Sequence, residues 1–330
     1  MQKIILTGGL GYIGSHVCVE LVNMGYIPVI IDNLCNSKRS VHGRLRDITN
    51  IDITFYEGDI RDHDFINSVF KRENPQSVIH LAALKSVGES VRKPLDYYDV
   101  NVNGTRILLD VMNHHNVKHI VYSSSATVYG DRNPSPLTED MPIGQVVNPY
   151  GRTKYIGEVL LEDLYQADND WSICVLRYFN PVGAHESGLI GEDPKDIPNN
   201  LMPYVAKVAS GELDKVTVFG NDYDTPDGTG LRDYIHVVDL AKGHVTALKQ
   251  KDHTIYNLGT GQAHSVLDVM QAYETACGKQ IPHIISDRRE GDVAICYADC
   301  TKAEKELNWR AEKTLQDAAQ DSWRWITSSS

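Results

Sequence analysis

The chain has 330 residues, 42 % hydrophobic and 23 % charged, and its 32 basic and 44 acidic side chains leave a net charge of −12. That length suits two packed domains better than one core, and the acidic balance argues against nucleic acid or an anionic membrane as partner, since both need basic patches. No apolar run approaches the ~18 residues of a membrane span, and Ile4-Ile5-Leu6 is too short for a signal-peptide core. The six cysteines form no C-x-x-C pair, which is the pattern of a cytoplasmic protein without disulfides.

Short apolar runs at 3–6, 28–31, 53–56, 77–80, 120–122 and 173–176 alternate with helical spacing at 12–24, 64–70, 102–113 and 151–165. Such alternation predicts an α/β fold: a Rossmann-type, doubly wound parallel sheet with helices on both faces. The second half is less regular, with Gly-, Pro-, Asn- and Asp-rich loops at 181–200 and 220–230, as binding loops are. Residues 302–326 predict a helix-rich cap, with Ser328-Ser329-Ser330 as a frayed end. The expected division is a cofactor domain at 1–180 and a smaller α+β substrate domain at 181–330, some of whose segments return to the first.

Directly after the first strand, Thr7-Gly8-Gly9-Leu10-Gly11-Tyr12-Ile13-Gly14 sets Gly8, Gly11 and Gly14 at G-x-x-G-x-x-G spacing. Glycines there allow a tight turn and close backbone approach to a pyrophosphate at a helix N-terminus. Asp32 ends the second strand, where a carboxylate accepts the adenosine ribose hydroxyls and repels the 2′-phosphate of NADP. These features together predict NAD. Gly58-Asp59-Ile60 and Leu81-Ala82-Ala83 end the next two strands on the same edge.

Asn148-Pro149 reads as an N-cap followed by the first helical position, and Tyr150-Gly151-Arg152-Thr153-Lys154 then stacks Tyr150 and Lys154 one turn apart. A nearby ammonium, the positive helix end and an oxidised nicotinamide all favour the phenolate, so the Tyr150 pKa is expected to fall towards neutrality. A general base for a hydroxyl proton needs that shift. Ser123-Ser124-Ser125 follows the fifth strand, and Ser125 is the hydroxyl chosen to bridge substrate oxygen and tyrosine. His114-His115 with His119 reads as a solvated turn, so no metal is expected.

The glycine turn, serine cluster and Tyr-x-x-x-Lys, in this order, resemble the extended short-chain dehydrogenase/reductase family, and within it most closely the UDP-glucose 4-epimerases. The likeness runs through Asp32-Asn33-Leu34-Cys35-Asn36-Ser37, Arg177-Tyr178-Phe179-Asn180-Pro181, Ile197-Pro198-Asn199-Asn200-Leu201, Arg232-Asp233-Tyr234-Ile235-His236 and Arg288-Arg289-Glu290-Gly291-Asp292. The resemblance implies a homodimer that keeps NAD bound while hydride leaves sugar C4 and returns on the other face. Apolar helices at 102–112 and 156–164 are the candidate faces. It implies NAD contacts from Tyr12, Ile13, Asp32, Asn33, Asn36, Ser37, Asp59, Ile60, Leu81, Ala82, Ala83, Lys85 and Tyr178. By the same likeness Ser125, Tyr150 and Lys154 are catalytic, with Lys154 lowering the tyrosine pKa. Asn180, Asn200, Leu201, Phe219, Arg232, Arg289 and Asp292 hold the UDP part. Two arginines suit a diphosphate, and an aspartate suits ribose hydroxyls.

Two positions depart from the family. Some members carry Asn at the position of Val100, so one cofactor contact is missing or is supplied by Asn101. Cys296 stands where some members have a bulky Tyr against the sugar, which leaves room for a 2-acetamido group. The expected substrates are therefore UDP-glucose and UDP-galactose, with UDP-GlcNAc and UDP-GalNAc beside them. A nucleotide-sugar 4,6-dehydratase is the nearest rival, but Ser125-Ala126-Thr127 lacks that chemistry's acidic pair. A net oxidoreductase, or a catalytically inactive NAD-binding regulatory protein, is the alternative of another kind.

Overall fold

A computed structural model of the chain describes residues 1–194, 198, 200–289 and 292–328. Ile197 and Asn199 of the asparagine loop, Glu290 and Gly291 before Asp292, and the terminal Ser329 and Ser330 lie outside the described residues.

The first half forms β1 (Lys3–Thr7), α1 (Tyr12–Asn23), β2 (Ile27–Asp32), α2 (Ser40–Thr49), β3 (Thr54–Glu57), α3 (His63–Glu73), β4 (Ser77–His80), α4 (Val87–Arg92), α5 (Pro94–Tyr97), α6 (Gly104–His114), β5 (His119–Ser123), α7 (Pro149–Ala167) and β6 (Ser172–Tyr178). A π-helical turn at Tyr98–Asn103 joins α5 to α6. The second half adds β7 (Asn180–Val182), α8 (Leu201–Ser210), β8 (Val216–Phe219), β9 (Leu231–Arg232), β10 (Tyr234–His236), α9 (Val237–Ala247), β11 (His253–Leu258), β12 (His264–Ser265), α10 (Val266–Cys277), β13 (His283–Ser286), β14 (Ile295–Cys296) and α11 (Leu315–Ser328).

The main sheet has seven parallel strands in the order β11-β6-β5-β4-β1-β2-β3. Alternate residues of each strand feed opposite faces, as a period of two requires. Ile4, Leu6, Ile30, Ile79 and Val121 pack with Val17 and Leu21 of α1 and Leu240 and Val245 of α9. Ile5, Val29, Ile31, Val78 and Ile120 pack with Val69 and Phe70 of α3 and Leu108 and Met112 of α6. Burial on both faces explains why these strands read as unbroken apolar runs.

Three features differ from the sequence reading or add to it. Helix α2 was not expected, although Val41, Leu45 and Ile48 stand at i, i+4 and i+7 and pack on the core, because its other residues are polar or glycine. The seventh strand, β11, comes from the second half and pairs with β6. The segment at 102–112 is not an apolar outer face: Ile107, Leu108, Leu109, Val111 and Met112 are all buried in the core.

The small sheets of the second half are short pairings that carry side chains to one place. In β14–β9, Cys296 lies opposite Arg232, and in β13–β8 Ser286 lies opposite Phe219. A third hydrophobic cluster beneath them joins α8, α10 and α11.

Helix α7 lies tightly on β5. A Cβ on Gly157 would sit 2.0 Å from the Tyr122 hydroxyl oxygen, so Gly157→Ala should cost about 1–3 kcal/mol by overpacking. The expected result is a lower urea midpoint at unchanged slope; an unchanged midpoint would show that α7 packs loosely there.

Candidate active site

The glycine turn closes against the end of β4. Gly8 has φ of 69°, and a Cβ on it would lie 2.9 Å from the Ala82 nitrogen. A Cβ on Gly14 would lie 2.1 Å from the Gly8 carbonyl oxygen, so only glycine lets α1 start this close to β1. Gly11 caps α1 without a side chain, which leaves its first-turn N–H groups for an anion. Half-buried Leu81, Ala82 and Ala83 form the facing wall. These features fit a dinucleotide.

Asp32 lies at the expected place, 8 % exposed. Its carboxylate already accepts the Leu10 N–H at 3.0 Å, the Leu34 N–H at 2.9 Å and the Ser37 hydroxyl at 2.8 Å. Three of a carboxylate's roughly four acceptor positions are thus filled, so it shapes the ribose loop as well as facing it. Exposed Asn33 donates to Asp59 at 2.8 Å, and Arg61 holds Asp59 well below the usual carboxylate range, chiefly by hydrogen bonding. Asn36 is exposed beside them. The side chains of Ile60 and Ile13 turn into the core or pack against it, so a cofactor meets mainly their backbone. The Tyr12 hydroxyl donates to the Gly183 carbonyl at 2.7 Å.

A buried polar chain runs from the glycine turn to the tyrosine helix. Thr7 Oγ1 lies 2.7 Å from His80 Nδ1, and His80 Nε2 lies 2.9 Å from Thr105 Oγ1. Thr105 donates to the Asn101 carbonyl at 2.6 Å. Asn101 Nδ2 donates to Thr153 Oγ1 at 3.0 Å, and Thr153 donates to the Tyr150 carbonyl at 2.7 Å. Because Thr105 spends its proton on Asn101, His80 must donate from Nε2 and accept from Thr7 at Nδ1. That requires a neutral ring. Burial, helped by the Lys154 charge, lowers its pKa to about 3. The Asn101 amide is also bonded to both backbone groups of Leu84. It therefore supports the cofactor wall from behind, through the backbone of Leu84.

Asn148 caps α7 by accepting the Gly151 N–H at 2.9 Å, with Pro149 next, as expected. Tyr150 and Lys154 are both buried, at 9 % and 4 % exposure. Ser125 hydrogen bonds the Tyr150 phenol. Lys154 Nζ donates to the Ser123 carbonyl at 2.6 Å and lies 5.2 Å from the centroid of the Tyr122 ring. Desolvation lowers Lys154 to about 8 against the pull of Glu158, one turn further along the helix. In the protein by itself burial raises the Tyr150 pKa, and the Ser125 bond only partly offsets this; the expected fall counts the charge of an oxidised nicotinamide as well. The Lys154 ammonium gives one of its three donors to the Ser123 carbonyl, which keeps its charge in the same buried pocket as the phenol. The protein alone favours the neutral tyrosine.

Behind the serines, Ser124 hydrogen bonds Glu158, and Ser123 meets the Tyr178 hydroxyl. Glu158 pairs with Arg177 at 2.7 Å, both almost fully buried. Arg177 also donates to the Tyr129 hydroxyl at 3.1 Å and the Glu139 carbonyl at 3.2 Å. Sequence reading missed this pair, although Glu158 at four residues from Lys154 was a visible signal.

Of the residues expected on the substrate side, several converge. Arg289 stacks over Phe219 with its guanidinium carbon 3.9 Å from the ring centroid. Arg232 lies 3.5 Å from Asp292. Asn180 donates its N–H to the Asp233 carbonyl, the residue after Arg232. Cys296 packs against the cluster that holds Val128, Tyr129 and Phe179. Asn200 stands apart from these at the start of α8, where its amide donates to Glu192 at 2.8 Å. Leu201 packs against the third cluster. Among the described residues, no group of three or more side chains is arranged to hold a metal, and no helix is long and apolar enough to cross a membrane.

A family model described as GDP-mannose 4,6 dehydratase matches residues 5–322. The UDP-glucose 4-epimerase of Bacillus subtilis (strain 168) is 56 % identical over 331 residues, covering 99 % of this chain and 97 % of that protein. A crystal structure of UDP-glucose 4-epimerase from Bifidobacterium longum, in complex with NAD+ and UDP, superposes with a TM-score of 0.96 at 55 % identity, over 99 % of this chain and 98 % of that one. The epimerase from Stenotrophomonas maltophila, with bound NAD and formylated UDP-arabinopyranose, gives 0.97 at 48 % identity, over 100 % and 99 %. With this much sequence and shape in common along its whole length, the chain belongs to the extended short-chain dehydrogenase/reductases and, within them, to the UDP-glucose 4-epimerase family.

Proposed function

We infer that this protein is an NAD-dependent epimerase that inverts C4 of UDP-glucose and UDP-galactose. The observation that carries this is the Ser125–Tyr150–Lys154 group on the sheet edge where the glycine turn opens, together with Arg232 paired to Asp292 and Arg289 stacked on Phe219. Bound NAD supplies the hydride acceptor for C4 and a positive charge beside the phenol. Tyr150 takes the O4 proton and later returns it, with Ser125 bridging O4. Lys154 holds its charge near the phenol by its bond to Ser123. The arginines and Asp292 keep the diphosphate and ribose in place while the keto sugar turns over. The Ser125-Ala126-Thr127 sequence carries no acidic pair for water elimination, so the 4,6-dehydratase reading is not favoured.

The expected outcome with UDP-galactose is UDP-glucose without net reduction of the cofactor. Tyr150→Phe should lose about 10²–10⁴-fold in kcat. A 4-keto-6-deoxy product, or net cofactor reduction, would overturn the assignment.

Cys296, beside Arg232 and Phe179, is the side chain that admits a 2-acetamido group, so UDP-GlcNAc and UDP-GalNAc are substrates too. Cys296→Tyr should abolish conversion of UDP-GlcNAc and spare UDP-galactose. Failure of the unaltered enzyme to convert UDP-GlcNAc would remove this claim.

The likeness also supports a homodimer. Val91 and Leu95, 63 % and 80 % exposed, stand with Val159 on neighbouring α4, α5 and α7, and a second copy would cover them. Light scattering should give twice the chain mass, and Leu95→Glu should halve it; a monomeric parent would refute the dimer. The division at about residue 180 is read as cofactor and sugar-nucleotide domains, with α9 and β11 returning to the first. Six free cysteines and the acidic composition support a cytoplasmic location.

A further inference from the structure

The segment from Gly183 to Asp193 crosses the cofactor edge and is tied to it at three places. Gly183 accepts the Tyr12 hydroxyl at 2.7 Å, Glu192 pairs with Lys85 at 2.9 Å, and Asp193 pairs with Lys38 at 2.5 Å. Its backbone is held firmly from below. Ile190 is 2 % exposed in the main core, and a Cβ on Gly191 would lie 2.6 Å from the Trp325 indole. Glu192 is therefore not a mobile surface acid; its side chain is only 11 % exposed. A carboxylate so placed needs partners, and one of its oxygens, Oε1, has two. It accepts from Lys85 Nζ at 2.9 Å and from Asn200 Nδ2 at 2.8 Å.

Those partners serve different ligands on the reading above, on which this inference rests: Lys85 the dinucleotide, Asn200 the UDP-sugar. We propose that Glu192 is a positioning residue that couples the two sites, by joining the cofactor's lysine to the substrate's asparagine through one oxygen. An ammonium has three donors, so Lys85 can serve a phosphate and Glu192 together. A lysine drawn to the dinucleotide keeps Glu192 beside it, and Glu192 in turn aims the Asn200 amide at the start of α8. A UDP-sugar held by Asn200 reinforces the same arrangement, so each ligand strengthens the other's hold, and by linkage the effect is equal in both directions. In an enzyme that must keep both ligands through the turning of the sugar, this coupling matters more than either affinity alone.

The test compares NAD loss from the NAD-loaded protein with and without saturating UDP, in unaltered enzyme, E192Q, E192A and K85M. UDP should slow NAD loss from the unaltered enzyme on the order of tenfold. In E192Q the amide oxygen still accepts from Asn200 but no longer carries the charge that holds the Lys85 ammonium, so UDP affinity stays near the parent's while the slowing vanishes. K85M should lose the slowing as well, and E192A should lose it together with UDP affinity. A purely structural role would lower the unfolding temperature and leave the UDP effect intact. Slowing that survives in E192Q and E192A, or is absent from the unaltered enzyme although UDP binds, would overturn the proposal. Failure of the unaltered, NAD-loaded enzyme to bind UDP would instead overturn the reading of the site, and the coupling with it.

Discussion

The buried chain from Thr7 through His80, Thr105, Asn101 and Thr153 to the Tyr150 carbonyl is the constraint on which the site depends. A tyrosine and a cofactor edge on separate elements need a fixed spacing, and packing alone leaves helices some freedom to slide. Five side chains with no access to water do not allow that. Each must keep its partner, because an unpaired buried donor or acceptor costs ~1–3 kcal/mol. The hydrogen bonds all run in one direction, and a charged His80 would break the pattern. Its low pKa keeps the chain intact across the physiological range. The π-helical turn at Tyr98–Asn103 lets one residue, Asn101, serve the chain through its carbonyl and support Leu84 and Thr153 through its amide.

The second buried polar system supports the serine cluster. The Glu158–Arg177 pair fixes α7 to β6 and offers Ser124 a carboxylate. Such a pair contributes little net stability over apolar packing, yet losing either member is expensive. Its value here is positional, since Lys154 lies one turn from Glu158 on α7 and reaches the Ser123 carbonyl at 2.6 Å. The desolvation that makes Lys154 readier to lose its proton also raises Tyr150. The protein thus holds a neutral tyrosine beside a weakened ammonium, and a positive charge arriving with the cofactor would be needed to favour the phenolate.

Much of this was legible in the linear chain. Glycine spacing, an acid ending the second strand and Tyr150 one turn before Lys154 are local patterns, and local patterns survive without knowledge of the fold. The strands read clearly because both faces are buried, whereas the short apolar face of α2, Val41, Leu45 and Ile48, is diluted by polar neighbours. Asn101 was assigned a ligand contact because its neighbour Val100 differs from some relatives, and nothing local shows that Leu84 and Thr153 consume its amide. Glu192 went unnoticed for the same reason: its partners are 107 residues before it and 8 after it.

The α/β order, the nucleotide turn, the acid–base pair and the kind of substrate could all be read from the linear chain. The first three rest on residue type and spacing within one or two adjacent elements, and the substrate on a family likeness spread along the chain. How burial acts on the tyrosine, which backbone groups take up the Asn101 amide and which acid joins lysine to asparagine emerge only in the folded protein. Those outcomes depend on burial and on hydrogen bonds between residues far apart in the chain, and free energies of that kind exist only once the sheet and its crossing loops have closed.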